Sequence, residues 1–391
     1  MLTSCGVIVE YNPFHTGHQY HLMKAREASG ADVVIAVMSG NFLQRGEPAI
    51  VDKWQRAEAA LANGADLVIE LPTAYAVQSA DYFAEGGVSL LHALGVDSLC
   101  FGTDSEEILD YEAFAKFNQT NKAELEQSFQ ELQGQGLSYP QQMTAVYQKL
   151  YPNWPLKDNS PNHILGMSYA KANQEYPEPM TLYPIQRQGA GYHEKGTDNH
   201  DYLSATAIRE ALKENRVEEI KSFVPRETMT ALINSSAIDW ETAWPLLKYQ
   251  LISQTVEELG QIYQMTEGIE YRLKEMSIKA QSFDEFVSLV KNKRFTWTRI
   301  QRLSTYVLLG IKHSDIEAVR TNPYIRVLGF NTVGKDFLNQ QKNDLELPLI
   351  VNVNQKNHGL VNLDIKAGQV YDLLTNSQQE QDYRRKPIVI D

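Results

Sequence analysis

The sequence predicts an α/β protein: a Rossmann-like, doubly wound parallel sheet followed by a mainly α-helical C-terminal domain. Three observations carry this reading. Apolar runs of strand length alternate with helical patterns through the first hundred residues. Those runs are apolar throughout instead of alternating, as strands covered on both faces are. Past about residue 225 the alternation gives way to successive helical patterns.

The strand runs are Gly6-Val7-Ile8-Val9, Val33-Val34-Ile35-Ala36-Val37, Leu67-Val68-Ile69 and Ser98-Leu99-Cys100-Phe101, with Thr181 to Ile185 as a fifth. Between them helices are predicted over Gly17 to Ala28, Asp52 to Asn63 and Ser79 to Leu94. Asp52 and Ser79 serve as N-caps, and Gly64 and Gly95 as C-terminal stops. Later helices are predicted over Trp240 to Tyr263, Gly268 to Ala280, Phe283 to Lys291 and Trp297 to Leu309. The last fifty residues mix short apolar runs, Leu347 to Val353 and Pro387 to Ile390, with loops rich in Gln and Asn. A chain of 391 residues exceeds one ordinary core. Two domains are therefore expected, 1–225 for catalysis and 226–391 mainly helical.

Composition narrows the class. A hydrophobic content of 43% with 10% aromatics excludes a disordered chain. A net charge of -13 argues against a general nucleic-acid binder but leaves room for a local basic face. The two cysteines, Cys5 and Cys100, lie in apolar runs, so buried free thiols in a reducing compartment are expected. No basic leader opens the chain, and no apolar stretch approaches the ~20 residues of a membrane span. A cytoplasmic protein without a membrane partner is expected.

The chemistry concentrates at Glu10 to Leu22, EYNPFHTGHQYHL. Ligands of doubly wound sheets bind at the carboxyl ends of the strands, and the first strand–helix turn is the usual phosphate site. A helix opening at Gly17-His18 is expected to aim free backbone N–H groups and its positive dipole end there. Gly17, lacking a Cβ, would let phosphate or adenine approach the backbone. His15 and His18 would donate to phosphate oxygens and shift proton occupancy near neutral pH as charge builds on leaving pyrophosphate. His15, His18 and His21 have only Glu10 nearby as a further ligand, so no metal held by protein side chains is expected. Neither GxxxxGK[ST] nor GxGxxG occurs, which leaves anion binding to the histidines.

His15-Thr16-Gly17-His18 resembles the HxGH motif of the nucleotidylyltransferase superfamily. Leu203-Ser204-Ala205-Thr206-Ala207-Ile208-Arg209 resembles that superfamily's ISSTxIR phosphate motif. Read physically, Ser204 or Thr206 caps a helix running to Glu214, and Arg209 is placed to hold pyrophosphate oxygens. Longer stretches are similar to the bacterial tRNA(Met) cytidine acetate ligases: GVIVEYNPFHTGHQYHL, VMSGNFLQRGEPAIVDKWQRAEAAL, GADLVIELPTAYAVQSADYFAEGGVSLL, CFGTDSE, SPNHILGMSYAKA, IQRQGAGYHE and KRFTWTRIQRLSTYVLLGI.

That resemblance implies an enzyme that activates acetate with ATP as acetyl-adenylate. It would then transfer the acetyl group to N4 of the wobble cytidine of elongator tRNA(Met), giving N4-acetylcytidine. It implies an ATP cradle of Val7, Ile8, Val9, Glu10, Tyr11, Asn12, Pro13, Phe14, His15, Thr16, Gly17, His18, Gln19 and Tyr20, with His15 and His18 catalytic. Gly102 would let adenosine pack against backbone, and Asn162, Arg187 and Gln188 would join Ser204, Thr206 and Arg209 around the nucleotide. On the residues alone, Asn162 reads instead as an N-cap of a helix from His163. ATP is expected as substrate, with Mg²⁺. Ser39, Asn41 and Arg45, just after the second strand, contact acetate or cytidine, or form a structural turn.

Between Lys291 and His313 there are six Lys/Arg and no Asp or Glu. Lys293, Arg294, Trp297, Arg299 and Arg302 are expected to bind the tRNA anticodon region, with Arg299 and Arg302 on one helical face and Phe295 and Trp297 stacking on splayed bases. No obligatory protein partner is expected. A small-molecule adenylyltransferase of the cofactor-synthesis type is the alternative, and an RNA-binding protein with a degenerate nucleotide domain a third reading.

Overall fold

A computed structural model describes residues 1–104, 109–132, 137, 139–151, 161–187, 202–235, 237–375, 380–383 and 385–391. Its centre is one sheet of eight strands: β1 (Ser4–Val9), β2 (Val33–Ser39), β3 (Leu67–Leu71), β4 (Ser98–Thr103), β5 (Thr181–Gln186), β6 (Ile325–Phe330), β7 (Leu349–Ile350) and β8 (Ile388–Val389). Their order is β5-β4-β1-β2-β3-β6-β7, with β8 also paired to β6. The first five strands are mutually parallel, and β6 joins β3 antiparallel. The chain thus winds outward from β1 through β3, then returns to place β4 on β1's other side. The order reverses between β1 and β4, and the crevice at their carboxyl ends is the topological switch point.

Every residue of β1, β2 and β3 is buried. Alternate side chains feed two apolar layers: Val7, Val34, Ala36 and Val68 pack on one face, and Ile8, Ile35, Val37 and Ile69 on the other. The near-continuous apolar runs follow from this double coverage. Cys5 and Cys100 are buried free thiols. Among the described residues no helix is long and apolar enough to cross a membrane.

The expected helices form with shifts at their ends. Asp52 caps its helix by accepting from Gln55 N–H, whereas the Ser79 side chain makes no capping bond. The expected helix Trp240 to Tyr263 is two: Trp240–Ser253, then Val256–Gly260, which Thr255 and Glu258 open with a reciprocal capping box. The sequence reading passed over β6. The short apolar runs near the C-terminus become β7 and β8, so the last seventy residues complete the sheet begun by residue 4.

A buried ionic cluster fastens those late segments. Lys53 Nζ lies 2.8 and 2.9 Å from the Glu70 carboxylate oxygens and 2.8 Å from Asp382 Oδ1. Arg326 Nη2 is 3.0 Å from Asp382 Oδ1 and its Nε 3.4 Å from Glu70 Oε2. Trp54 Nε1 donates to Gln381 O at 2.7 Å. All four charged side chains are at most 2% exposed.

Candidate functional site

Helix Thr16–Ser29 opens with an unusual cap made of its two motif histidines. His15 is the N-cap, in extended conformation, and its Nδ1 accepts from Gly17 N–H at 3.0 Å. His18 Nδ1 accepts from His15 N–H at 3.3 Å. A neutral imidazole whose Nδ1 accepts must carry its hydrogen on Nε2. The hydrogen-bond geometry therefore assigns both rings as Nε2–H tautomers, stacked with centroids 3.7 Å apart.

Three expectations change here. The first-turn N–H groups do not face a ligand: Thr16 N donates to Phe223 O, Gly17 N to His15 Nδ1, and His18 N to His15 O. That leaves the two Nε2–H groups as the ring donors at the positive end of the helix dipole. Gly17 makes room for the His15 ring rather than for a ligand, since a Cβ there would lie 2.8 Å from His15 Cε1. The histidines also do not sit near their ordinary titration range. Burial, then the Arg187 and Arg209 guanidinium charges, push His15 down to about 3. Burial, then His15, Arg187 and His21, hold His18 well below 6.5. Both rings are neutral donors at pH 7 until an anion arrives.

The second motif docks on the first. Ser204 caps helix Ala205–Lys213 by accepting from Ala207 N–H at 3.1 Å. Arg209 Nη1 donates to Asn12 O at 2.6 Å and Nη2 to Thr206 Oγ1 at 3.3 Å. Tyr202 packs on Tyr20 with ring centroids 5.6 Å apart. Two motifs nearly two hundred residues apart thus share one corner of the switch point.

The end of β4 supplies a third group, and with it a residue the sequence reading did not single out. Asp104 accepts from Asn162 Nδ2 at 2.8 Å on each oxygen, and Arg187 Nη1 lies 3.6 Å from Asp104 Oδ1. Asn162 stands in the first turn of helix Pro161–Gln174, so it is not an N-cap from His163. Gly102 is covered by the Arg187 stem, whose Cγ would be 3.2 Å from a Cβ there. A carboxylate directly after a strand's last residue at the switch point was the available signal for Asp104. Gln188 lies outside the described residues.

Within the expected cradle, not every side chain faces the crevice. Val7, Ile8 and Val9 point into the two apolar layers. Tyr11 and Phe14 are buried as an aromatic backing to His18, with centroids 4.8 and 5.7 Å from its ring. Pro13 is buried beside them, and Gln19 is exposed. Glu10 Oε1 accepts from Gln44 N–H at 2.6 Å. Asn12 Oδ1 accepts from Ile50 N–H at 2.8 Å.

Of the three residues expected just after the second strand, Ser39 is instead the last residue of β2. Asn41 is committed to structure: its Oδ1 accepts from Lys53 N–H at 2.7 Å and its Nδ2 donates to Gln381 Oε1 at 3.3 Å. Ser39 is fully buried, its hydroxyl without a partner among the described residues. Arg45 is half-buried and places its charge near Glu10.

The basic stretch divides in two. Lys293 and Arg294 are exposed, the Arg294 side chain at 79% with Nη1 3.4 Å from Glu267. Phe295 is only 4% exposed and lies under the Arg299 guanidinium at 4.2 Å, so it is no stacking platform. Trp297 packs half-buried against the core. Arg302 turns inward, donating from Nη1 to Gln78 O at 3.0 Å. Arg299 and Arg302 therefore do not form one solvent-facing pair.

Comparison with known proteins gives the same corner a lineage. The HIGH Nucleotidyl Transferase family model matches residues 2–386. The tRNA(Met) cytidine acetate ligase of Leuconostoc citreum is 44% identical over 99% of this chain and 97% of its own length. The chain belongs to the tRNA(Met) cytidine acetate ligase family. A second member, from Listeria monocytogenes serotype 4a, is 39% identical over 99% of this chain and 100% of its own. The crystal structure of apo Thermotoga maritima TmcAL superposes with a TM-score of 0.91 at 32% identity, covering 100% of both chains. TmcAL bound with alpha-thio ATP gives 0.88 at 32% identity, covering 99% of each. The α/β fold and the ATP-directed reading of the motifs agree with these family ties.

Proposed function

We propose that this chain is an ATP-dependent ligase that joins acetate to N4 of the wobble cytidine of elongator tRNA(Met). The single observation carrying the reading is the histidine cap: two occupied Nδ1 atoms leave two Nε2–H donors at the switch point beside Arg209 and Arg187. In the first step an acetate oxygen bonds to the α-phosphorus of ATP as the bond to pyrophosphate breaks. Nothing in that step needs a protein nucleophile; positioning and neutralisation of leaving charge suffice. His15 and His18 donate to the phosphates, and Arg209 and Arg187 hold the outgoing oxygens. In the second step N4 bonds to the acetyl carbon, the carbon–oxygen bond to AMP breaks, and N4 gives up a proton.

Mg²⁺ would arrive on the phosphates and add to charge neutralisation there. An ion of that kind, held mainly by phosphate oxygens and water, would need few or no protein ligands. Residues 1–225 would supply most of the ATP site, and 226–391 would contribute the surface that meets the anticodon region. Exposed Lys293 and Arg294, with Arg299, are its cationic contacts. Substrates of this kind place the enzyme in the cytoplasm.

The test is exchange of labelled pyrophosphate into ATP without RNA, offering acetate, formate, propionate or nicotinamide mononucleotide separately. Exchange driven by acetate, followed by an acetylated cytidine in treated tRNA(Met), is the expected result. Exchange with the mononucleotide alone would replace the reading with a cofactor-making adenylyltransferase.

A further inference from the structure

Helix Trp297–Leu309 does more than carry basic residues, because its inner side grips the loop 40–51 that leads from β2. Gly46 (φ 79°) approaches so closely that a Cβ there would lie 2.5 Å from Arg302 N and Cα. Thr305 Oγ1 donates to Gly46 O at 2.8 Å, and Trp240 Nε1 donates to the same oxygen at 2.9 Å. Arg302 Nη1 and Gln44 Nε2 both donate to Gln78 O, at 3.0 and 2.7 Å. The far side of the loop touches the nucleotide motif. Gln44 N–H donates to Glu10 Oε1 and Ile50 N–H to Asn12 Oδ1, while Arg209 bonds Asn12 O.

We propose that Arg302 is a positioning residue for the ATP site, acting through Gln78 and loop 40–51, and not a contact of the RNA. The inference rests on the reading of Glu10 to His18 as the ATP cradle. Its physical reason is alignment. Acyl transfer requires a base delivered by RNA on one surface to meet an adenylate held on another, and an error of about 1 Å costs on the order of a hundredfold. A loop bonded to both surfaces gives them one common mount. Arg302 supplies the charged donor of that mount, from a half-buried position.

The two roles separate in binding measurements on the full-length protein without acetate. Alpha-thio ATP binding is measured with RNA absent, and tRNA(Met) binding with nucleotide absent. Arg302→Met is expected to weaken the nucleotide about tenfold, the scale of one lost charge-assisted hydrogen bond, while tRNA affinity stays within about twofold. Arg302→Lys, which keeps one donor, recovers most of the loss, and Gln44→Leu reproduces it, removing the other donor to Gln78 O. An unchanged nucleotide affinity in Arg302→Met together with weakened tRNA binding would overturn the proposal. Should Arg302→Met melt early, Gln44→Leu decides the matter alone: nucleotide affinity at the parental level counts against the mount. Failure of the parent protein to bind alpha-thio ATP would instead sink the cradle reading itself.

Discussion

Two clusters of ionisable groups sit near the carboxyl edge of one sheet, and they are built on opposite plans. In the Lys53, Glu70, Arg326 and Asp382 cluster, two cations face two carboxylates within 3.4 Å, all nearly solvent-free. At the histidine cap, the charges acting on His15 are the Arg187 and Arg209 guanidinium groups; Arg187 Nη1 has Asp104 Oδ1 3.6 Å away, and Arg209 donates to Asn12 O and Thr206 Oγ1. The buried cluster matches its cations to its carboxylates internally and holds the C-terminal strands. Two buried neutral imidazoles beside partly exposed guanidinium groups would suit an arriving polyanion, here the proposed ATP. On the proposed function, the first cluster serves folding and the second serves ligand binding.

The sharpest break in that contrast is His18→Ala. It should reduce acetate-dependent pyrophosphate exchange by about a hundred- to a thousandfold, the scale of one lost charge-stabilising donor. Binding of tRNA should stay near parental while stability falls by about 1 kcal/mol, the scale of one lost capping bond, and an equal loss of tRNA binding would signal misfolding. Gly17→Ala pushes the His15 ring off its N–H, so exchange should fall about a hundredfold with both histidines still present. Exchange at the parental rate would mean the tautomer-setting bond is dispensable.

The ionic cluster should answer in the other currency. Lys53→Met leaves Glu70 and Asp382 buried with one cation fewer, at a cost of about 3–5 kcal/mol read from urea unfolding. Nucleotide affinity of the fraction that folds should change little. At the RNA surface, Arg294→Ala with Arg299→Ala should lower tRNA affinity and flatten its salt dependence by about one unit of slope per lost phosphate contact. An unaltered slope would remove those residues from the interface.

The two clusters should also oppose one another in pH, with the smallest effect. His15 falls from 6.5 to about 3 in the folded chain, so between those values only the unfolded chain takes the proton. Its contribution to stability is full above pH 6.5 and is lost as pH falls through that window. Burial raises Glu70 above 4.5 against the opposing pull of Lys53, so the folded chain gives up that proton later than the unfolded chain and stability falls as pH rises past 4.5. In unfolding curves from pH 7 to pH 4.5, His15→Gln should remove one histidine's share of the loss on the acid side, while buried His18 and His21 keep theirs. An unchanged profile would mean His15 does not titrate low.

Much of this was legible in the chain because it is written locally. The strands β1 to β4 announce themselves as continuous apolar runs, and the histidine motif lies in a single turn after the first. What escaped depends on distance. Lys53 and Asp382 are 329 positions apart, and no local pattern pairs them. β6 enters antiparallel beside β3 after a long helical tract, so its six residues had no alternation to join. Spacing placed Arg299 and Arg302 near one another on a helix but not the direction each faces, which Gln78 and Phe295 decide by packing. Of the backbone N–H groups expected to hold phosphate, Gly17's goes to the His15 side chain, which caps the helix where Ser or Asp usually would, while Thr16's goes to Phe223 O and His18's to His15 O.

The most direct test of the central claim is the protonation state of the two imidazoles, read by ¹⁵N NMR of the histidine-labelled protein at pH 7 with and without ATP. The account predicts two neutral rings with hydrogen on Nε2 in the free protein, and Nε2 signals that move on adding ATP while both Nδ1 atoms keep their backbone bonds. Rings already protonated without ligand, or Nε2 signals that ignore ATP, would contradict it.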